Sequence, residues 1–245
     1  MARTFLIRGM LCGLIMGLVV FAIARIFGEP NVDGAIGVED HIAQMAGEAP
    51  EPALVSRAVQ ASWGLFVGVM LYSIAVGGLF SLLFSYAWGR MGQLGPRAGA
   101  AILAALSFIT VYLVPFAKYP ANPPSVGNPD TIGVRTELYF GMMVIAIVAM
   151  IAAVSLGRAL LDRLGAWNAW TLAGLGFFVL AAAAYLLLPA INEVPEVFPA
   201  TLLWQFRTVA FTLQLLLWGG IGLLFGYFTE RQFAAKPVLA RRRAA

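Results

Sequence analysis

Six long apolar runs restrict this chain to a membrane fold. The runs are Phe5–Phe27, Trp63–Trp88, Ala98–Ala117, Leu138–Leu156, Ala169–Leu188 and Thr208–Phe228. About 20 apolar residues in a helix span the roughly 30 Å hydrocarbon layer of a bilayer. The runs lack the period-2 alternation of membrane-barrel strands. The sequence therefore predicts an all-α, polytopic integral membrane protein with six transmembrane helices over residues 1–230, followed by a basic cytoplasmic tail over residues 231–245.

The first run has features of both a cleaved signal peptide and a retained helix. Arg3 and Arg8 form a basic start, and Ala22-Ile23-Ala24 resembles a cleavage site. The apolar stretch continues past that site, however, and it carries a stripe of small residues that suits helix packing, namely Gly9, Gly13 and Gly17. We favour the retained helix, with cleavage as the alternative.

Charged residues divide unequally between the two sides of the predicted membrane. With the N-terminus in the cytoplasm, eleven of the sixteen Lys and Arg residues lie inside: Arg3, Arg8, Arg90, Arg97, Arg158, Arg163, Arg231, Lys236, Arg241, Arg242 and Arg243. Ten of the twelve acids lie outside: Glu29, Asp33, Glu39, Asp40, Glu48, Glu51, Asp130, Glu137, Glu193 and Glu196. Because basic residues favour the cytoplasmic side, we predict a multi-pass protein with both termini in the cytoplasm. The net charge of +4 belongs to this pattern, so the bilayer is the expected partner and nucleic acid is not.

The outer connections are longer and richer in proline than the inner ones, which groups the runs into three helix–outer loop–helix hairpins. Each first helix ends near a proline: RIFGEP at 25–30, LVPFAKYPANPP at 113–124 and LLLPAINEVPEVFP at 186–199. Each second helix opens with an arginine, Arg57, Arg135 or Arg207. We interpret this as a weak threefold internal repeat. The alternative is that interfacial arginines recur by chance.

The sequence gives no support for catalysis. It has no phosphate-binding glycine loop, no H-E-x-x-H and no G-x-S-x-G. One histidine and one cysteine cannot form a zinc cluster or an intramolecular disulfide. We therefore predict that the chain is not an enzyme and has no cofactor.

The first outer loop, Gly28–Ser56, carries the densest set of cation-seeking groups. Glu29 and Asp33 are acidic, and His41 follows Glu39 and Asp40, with Met45 one helical turn later. Borderline divalent ions accept imidazole and carboxylate ligands. These residues are candidate metal ligands, and a solvated acidic segment with an incidental histidine is the alternative.

The second and third outer loops supply oxygen ligands and a restricted backbone. Their candidate ligands are Asn122, Asp130, Asn192 and Glu193. Pro120 and Pro123 limit the freedom of the second loop, so it can be ordered without being helical. Asn128-Pro129-Asp130 is typical of a turn, and Thr131 of a helix cap. We expect Arg135 and Glu137 to pair at the start of the next helix.

Four of these segments resemble the CbtA family of predicted cobalt transporter subunits. They are RIFGEPNVDGAI, LVPFAKYPANPPSVGNPDTIGVRTELYFG, RLGAWNAW and LLPAINEVPEVFPATLLWQFR. The resemblance covers nearly the whole chain, except the basic tail. It implies a bacterial inner-membrane protein linked to cobalt supply for cobalamin, paired with a small single-span subunit, CbtB, that carries a histidine-rich end. The family-like loop residues are Glu29, Asp33, Pro120, Asn122, Pro123, Asp130, Arg135, Asn192, Glu193 and Arg207.

Together these features predict a permease subunit for a divalent transition-metal cation, with cobalt as the expected ion. Members of the family often have more histidine in the first outer loop, which weakens any capture of metal by His41 alone. Two alternatives stay open: a structural or accessory membrane protein, and a small-solute pore with a basic ring of Arg57, Arg135 and Arg207. Glycine packing faces also allow a homo-oligomer.

Overall fold

Helices form nearly all of the protein. The computed structural model describes residues 2–47, 54–124 and 126–243, with side chains up to Ala234 except that of Pro129. No strand occurs among those residues, so the all-α prediction is confirmed. The five long helices are α1 Ala2–Ala46, α2 Arg57–Ala87, α3 Pro96–Lys118, α4 Ile132–Leu187 and α5 Ala200–Arg243. By length and composition, all five could cross a membrane.

Three of these helices contain a π-helical segment. The segments are Ala24–Gly28 in α1, Gln60–Gly64 in α2 and Phe108–Leu113 in α3. In α1 and α3 a proline, Pro30 or Pro115, follows two residues later, at the first positions of the next α-helical part. Proline is tolerated at such positions because its missing N–H is not needed for a hydrogen bond there.

The prediction of a loop over Gly28–Ser56 is wrong for the first part of that range. Residues Glu29–Ala46 form an α-helix that continues α1 instead of a loop. Pro30 does not end the helix, since it lies two residues after the π segment, at the start of the following α-helical part. The helix ends at Gly47, whose φ of 71° is left-handed and whose N–H bonds back to Ala43 and Gln44. Glu48 and Glu51 lie outside the described residues.

Helix α4 contains two of the predicted runs and reverses direction between them. Gly165 has φ 73° and ψ 165°, which interrupts the helix. A straight helix would separate Met142 and Ala184 by about 60 Å, yet the two residues share one buried cluster with Tyr119. A Cβ on Gly157 would likewise lie 2.7 Å from the ring of Trp170. The arms before and after Gly165 therefore pack against each other as a helical hairpin.

The chain divides into two compact units, residues 1–105 with 204–245, and residues 106–203. In the first unit, phenylalanine rings form the core: Phe5, Phe80, Phe84 and Phe225 pack edge to face with centroids 4.9–6.0 Å apart. In the second unit, Tyr119 is buried and its hydroxyl donates to the carbonyl of Pro189 over 2.8 Å. That bond ties the end of α3 to the segment after α4.

Glycines allow α1 and α2 to approach closely within the first unit. Gly9, Gly13 and Gly17 of α1 all face α2, as the small-residue stripe predicts. A Cβ added to Gly77 would lie 3.0 Å from the Cα of Gly13 and would also strike the carbonyl oxygen of Gly9. Any side chain at these positions must therefore push the two helix backbones apart.

Gly77→Ala should destabilise the protein. Overpacking of this kind costs about 1–3 kcal/mol, because both atoms that a Cβ would meet belong to backbone. The measurement is the apparent Tm in detergent. Gly68→Ala, in the same helix, is the matched control, since a Cβ there meets nothing within 4 Å and alanine favours helix. An equal Tm for the two variants would contradict the close-packed α1–α2 interface.

Candidate functional site

Two acid–arginine clusters organise the predicted site residues. The first cluster comprises Glu29, Asp33 and Arg57 and lies in the unit of residues 1–105 and 204–245. The second cluster comprises Asn128, Thr131, Arg135 and Glu193 and lies in the unit of residues 106–203. In each cluster an arginine from the beginning of a helix neutralises carboxylates from another segment.

The first cluster forms because α1 continues beyond its π segment. Glu29 and Asp33 are four residues apart, so they lie on one face of α1. Arg57, the first residue of α2, donates from Nη2 to Glu29 and from Nε to Asp33 Oδ1, the latter over 2.8 Å. The Glu29 side chain is only 7% exposed, whereas that of Asp33 is 60% exposed. Burial of Glu29 makes its pairing with Arg57 necessary, because an unpaired buried charge is costly.

The second cluster joins the two segments that were predicted as the second and third outer loops. Arg135 donates from Nη1 to Glu193 Oε2 over 2.8 Å, and the backbone N–H of Asn128 donates to the same oxygen over 3.1 Å. Thr131 donates its hydroxyl to the other oxygen, Oε1. Glu193 thus accepts hydrogen bonds at both carboxylate oxygens while its side chain is only 10% exposed.

These donors lower the pKa of Glu193 below its ordinary value. The Thr131 hydroxyl contributes most, followed by the Asn128 N–H and the charge and hydrogen bond of Arg135, while burial acts in the opposite direction. A carboxyl group whose pKa is lower in the folded state stabilises that state above its unfolded pKa, which is about 4.3 for glutamate. This stabilisation is lost as the pH falls from that value through the lowered pKa.

Gly127 is required for the second cluster to close. Its φ of 142° lies in a region that side chains rarely adopt. A Cβ there would also lie 2.9 Å from Arg135 Nη1 and 3.3 Å from Glu193 Oε2. The glycine therefore permits the loop backbone to pass directly against the ion pair.

A cavity of about 310 Å³ adjoins the second cluster. Its walls are mainly the aromatic rings of Tyr112, Phe116, Tyr119, Tyr139 and Phe140. The rest of the lining consists of Pro120, Ala121, Asn122, Arg135 and Thr136. The lining therefore combines aromatic rings with the amide of Asn122 and the guanidinium of Arg135.

The structure brings some predicted ligands together and leaves others apart. Glu29 and Asp33 converge on Arg57, while Glu193 meets Arg135 and Asn122 lines the nearby cavity. His41, Asp130 and Asn192 are exposed. The Asp130 N–H and the Val194 N–H are held by the side chains of Asn128 and Asn192, respectively. Pro123 is buried, and Arg207 is half-buried on α5.

No group of three or more His, Cys, Asp or Glu side chains in the described part of the chain is placed to hold a metal ion. The carboxylates of the two clusters instead hold guanidinium groups. Use of these carboxylates by a cation therefore requires the arginines to move or to share them.

Two details of the second cluster differ from the sequence-based interpretation. Thr131 occupies the N-cap position of α4 but makes no capping hydrogen bond, since its hydroxyl bonds to Glu193 and to the carbonyl of Asn128. Arg135 pairs with Glu193 instead of Glu137, because residues two apart on a helix do not face each other. The proline-rich spacing indicated an ordered loop, but no local pattern indicated its partner in the third loop.

Glu193→Gln should loosen the joined loops. Thr131 donates to one carboxylate oxygen, and Asn128 and Arg135 donate to the other. A glutamine amide has only one acceptor oxygen, so it keeps at most one of these two positions and loses the ion pair with Arg135; hydrogen bonds to charged groups contribute about 1.5–3 kcal/mol. The apparent Tm should therefore fall, and the difference from the parent protein should shrink as the pH drops below about 4. Glu196→Gln, an exposed carboxylate in the same loop, is the control and should change little. Equal effects of the two substitutions would contradict the assigned role.

A family model described as "Probable cobalt transporter subunit (CbtA)" matches residues 2–230. No curated protein and no solved structure matches the chain.

Proposed function

The chain belongs to the CbtA family of probable cobalt transporter subunits, and we propose that it is the permease subunit through which a divalent transition-metal cation, cobalt, enters the cell for cobalamin synthesis. The family match over residues 2–230 carries this proposal. The five long apolar helices support it, since they are those of a membrane protein. The proposed location is the bacterial inner membrane.

We further propose that the chain crosses the membrane six times, with both termini in the cytoplasm. The reversal at Gly165 supports two crossings within α4, since its arms pack against each other. The charge asymmetry of the connections supports the orientation. Under this arrangement both acid–arginine clusters belong to the outer side.

Cysteine labelling tests this topology. In a Cys12→Ser background, Asp40→Cys and Glu196→Cys should react with a membrane-impermeant maleimide in intact cells, whereas Gln93→Cys and Ala166→Cys should react only after permeabilisation. If α4 crossed only once, residue 196 would be protected. Labelling at position 196 therefore decides between six spans and five.

We propose that outer-side carboxylates attract the cation and that loop oxygens replace part of its water. The acidic outer side concentrates cations by its field alone. In the unit of residues 106–203, the proposed oxygen ligands that replace water are Asn122, Asp130, Asn192 and Glu193. In the other unit, Glu29, Asp33 and His41 on the extension of α1 are proposed to attract and bind cations through carboxylate and imidazole groups. Arg57 and Arg135 already hold three of these carboxylates. A cation that binds to one of the three would therefore have to displace an arginine guanidinium from it.

The same ion pairs disfavour the anion-pore alternative. A basic ring would need uncompensated charge at Arg57, Arg135 and Arg207. Arg57 contacts two carboxylates and Arg135 contacts one, so little positive field remains at either position for an anion.

We propose a small single-span, CbtB-like subunit with a histidine-rich end as the partner. A transporter subunit implies further subunits. This chain contains one histidine, and borderline divalent ions bind imidazole well. Imidazole ligands supplied by the partner would complete a site that carboxylates and amides begin.

Cobalt accumulation in cells that express this chain, alone and with a CbtB-like subunit, tests the function. We expect accumulation to rise most with both subunits and to be competed by nickel more strongly than by manganese, because nickel prefers the same ligands. No rise in either case, with the protein correctly inserted, would refute the permease and favour an accessory role.

Variants of the second cluster and of the neighbouring Asp130 separate a ligand role from a structural role. Asp130→Ala and Glu193→Ala should reduce cobalt uptake with normal protein in the membrane, and Glu196→Ala should not. If Glu193 is a ligand, the double variant Glu193→Gln/Arg135→Gln should stay inactive. If Glu193 only balances Arg135, the double variant should recover uptake that Glu193→Gln alone has lost. Unchanged uptake in both alanine variants would remove these residues from the cation path.

A further inference from the structure

A groove of about 650 Å³ opens beside the first part of α1, in the unit of residues 1–105 and 204–245. One end of the groove is basic, with Arg3 and Arg8, and the other is apolar. Ile7, Leu11 and Ile15 form the apolar wall together with Phe228 of α5. The groove lies apart in sequence from the acid–arginine clusters, and the proposed function does not use it.

Arg8 is fixed in position by neutral groups. Its Nη1 donates to the Thr229 hydroxyl over 2.9 Å, and its Nη2 donates to the side-chain oxygen of Gln232 over 2.6 Å. A guanidinium carries five N–H donors, so the two bonds leave others for a ligand. No carboxylate among the described residues forms an ion pair with Arg8 or Arg3, whereas Arg57, Arg97 and Arg135 all have one. The basic end of the groove therefore keeps its positive charge.

The apolar wall of the groove is about as long as one acyl chain of a phospholipid. Ile7, Leu11 and Ile15 repeat every four residues, so they line one face of α1, and they are 49%, 52% and 43% exposed. From Arg3 to Ile15 the helix rises about 18 Å. One leaflet of a roughly 30 Å hydrocarbon core is about 15 Å deep. The inference rests here on the proposed topology, which puts Arg3 at the cytoplasmic surface; the groove then reaches from the headgroup level to about the middle of the bilayer.

We propose that this groove binds one anionic phospholipid, with the phosphate at Arg3 and Arg8 and an acyl chain along Ile7, Leu11 and Ile15. Arginine binds phosphate with paired, charge-assisted hydrogen bonds. Anionic lipids are attracted to basic residues at the cytoplasmic surface, and basic pockets between helices bind their headgroups. A water-soluble phosphate would contact the arginines alone, whereas a phospholipid contacts the arginines and the apolar wall at the same time.

Native mass spectrometry of the full-length chain in neutral detergent tests the proposal. Phosphatidylglycerol and phosphatidylcholine with the same acyl chains are titrated separately, and the bound fraction gives an apparent Kd for each. Phosphatidylglycerol should bind at least about fivefold more tightly, and Arg3→Gln should weaken it about fivefold, as expected for one basic residue near a lipid phosphate. Leu11→Trp, which fills the apolar wall, should weaken both lipids.

The matched control is Arg163→Gln, which removes an exposed arginine outside the groove and should leave both Kd values unchanged. Arg3 suits the test because it is exposed, so its replacement does not disturb packing. Equal affinity for the two lipids, or an equal loss in Arg3→Gln and Arg163→Gln, would overturn the proposal. Displacement of the lipid by excess inorganic phosphate would show a site for water-soluble anions instead, and would overturn it as well.

Discussion

The backbone of this protein has to satisfy its own hydrogen bonds, because a hydrocarbon layer offers no water to N–H and C=O groups. This requirement explains why the long apolar segments are helices and why their irregularities are π segments instead of breaks. Pro30 and Pro115 each follow such a segment. The chain continues as helix across both prolines, so α1 carries its acidic residues beyond the apolar run on a rigid element. The position of Glu29 and Asp33 opposite Arg57 depends on that continuity.

Apolar runs and glycine spacing predicted much of the fold, because the membrane imposes them locally. The close approach of α1 and α2 follows from Gly9, Gly13 and Gly77. Of these, Gly9 and Gly13 belong to the stripe of small residues that the sequence indicated. The extension to Ala46 was not predicted, since Pro30 alone suggests a helix end and the compensating π segment has no simple sequence pattern. The bend at Gly165 lay where a short inner connection was expected.

The candidate site was predicted in its residue types but not in its pairings. Glu29, Asp33 and Glu193 were chosen as cation ligands because they are acidic and lie in the outer connections. Their actual partners, Arg57 and Arg135, are 24–58 residues away in sequence. Pairings over such sequence separations are determined by tertiary packing, which local sequence patterns do not reveal. Gly127 was not singled out, and Thr131 was predicted only as a helix cap, since the roles of both in the second cluster exist only when the second and third loops meet.

The distribution of arginine partners separates two kinds of electrostatic environment. Arg57 and Arg135 are balanced by carboxylates. Under the proposed function, a divalent cation would gain there only the difference between its own attraction and that of the guanidinium. Such exchange would suit the proposed transport, because a site that binds too strongly does not release its ion. Arg8 is held by hydroxyl and amide oxygens instead, which fix its geometry without cancelling its charge. A fixed, uncancelled charge beside an apolar wall favours a ligand that is itself amphipathic, whereas the balanced clusters favour a small ion that competes with arginine.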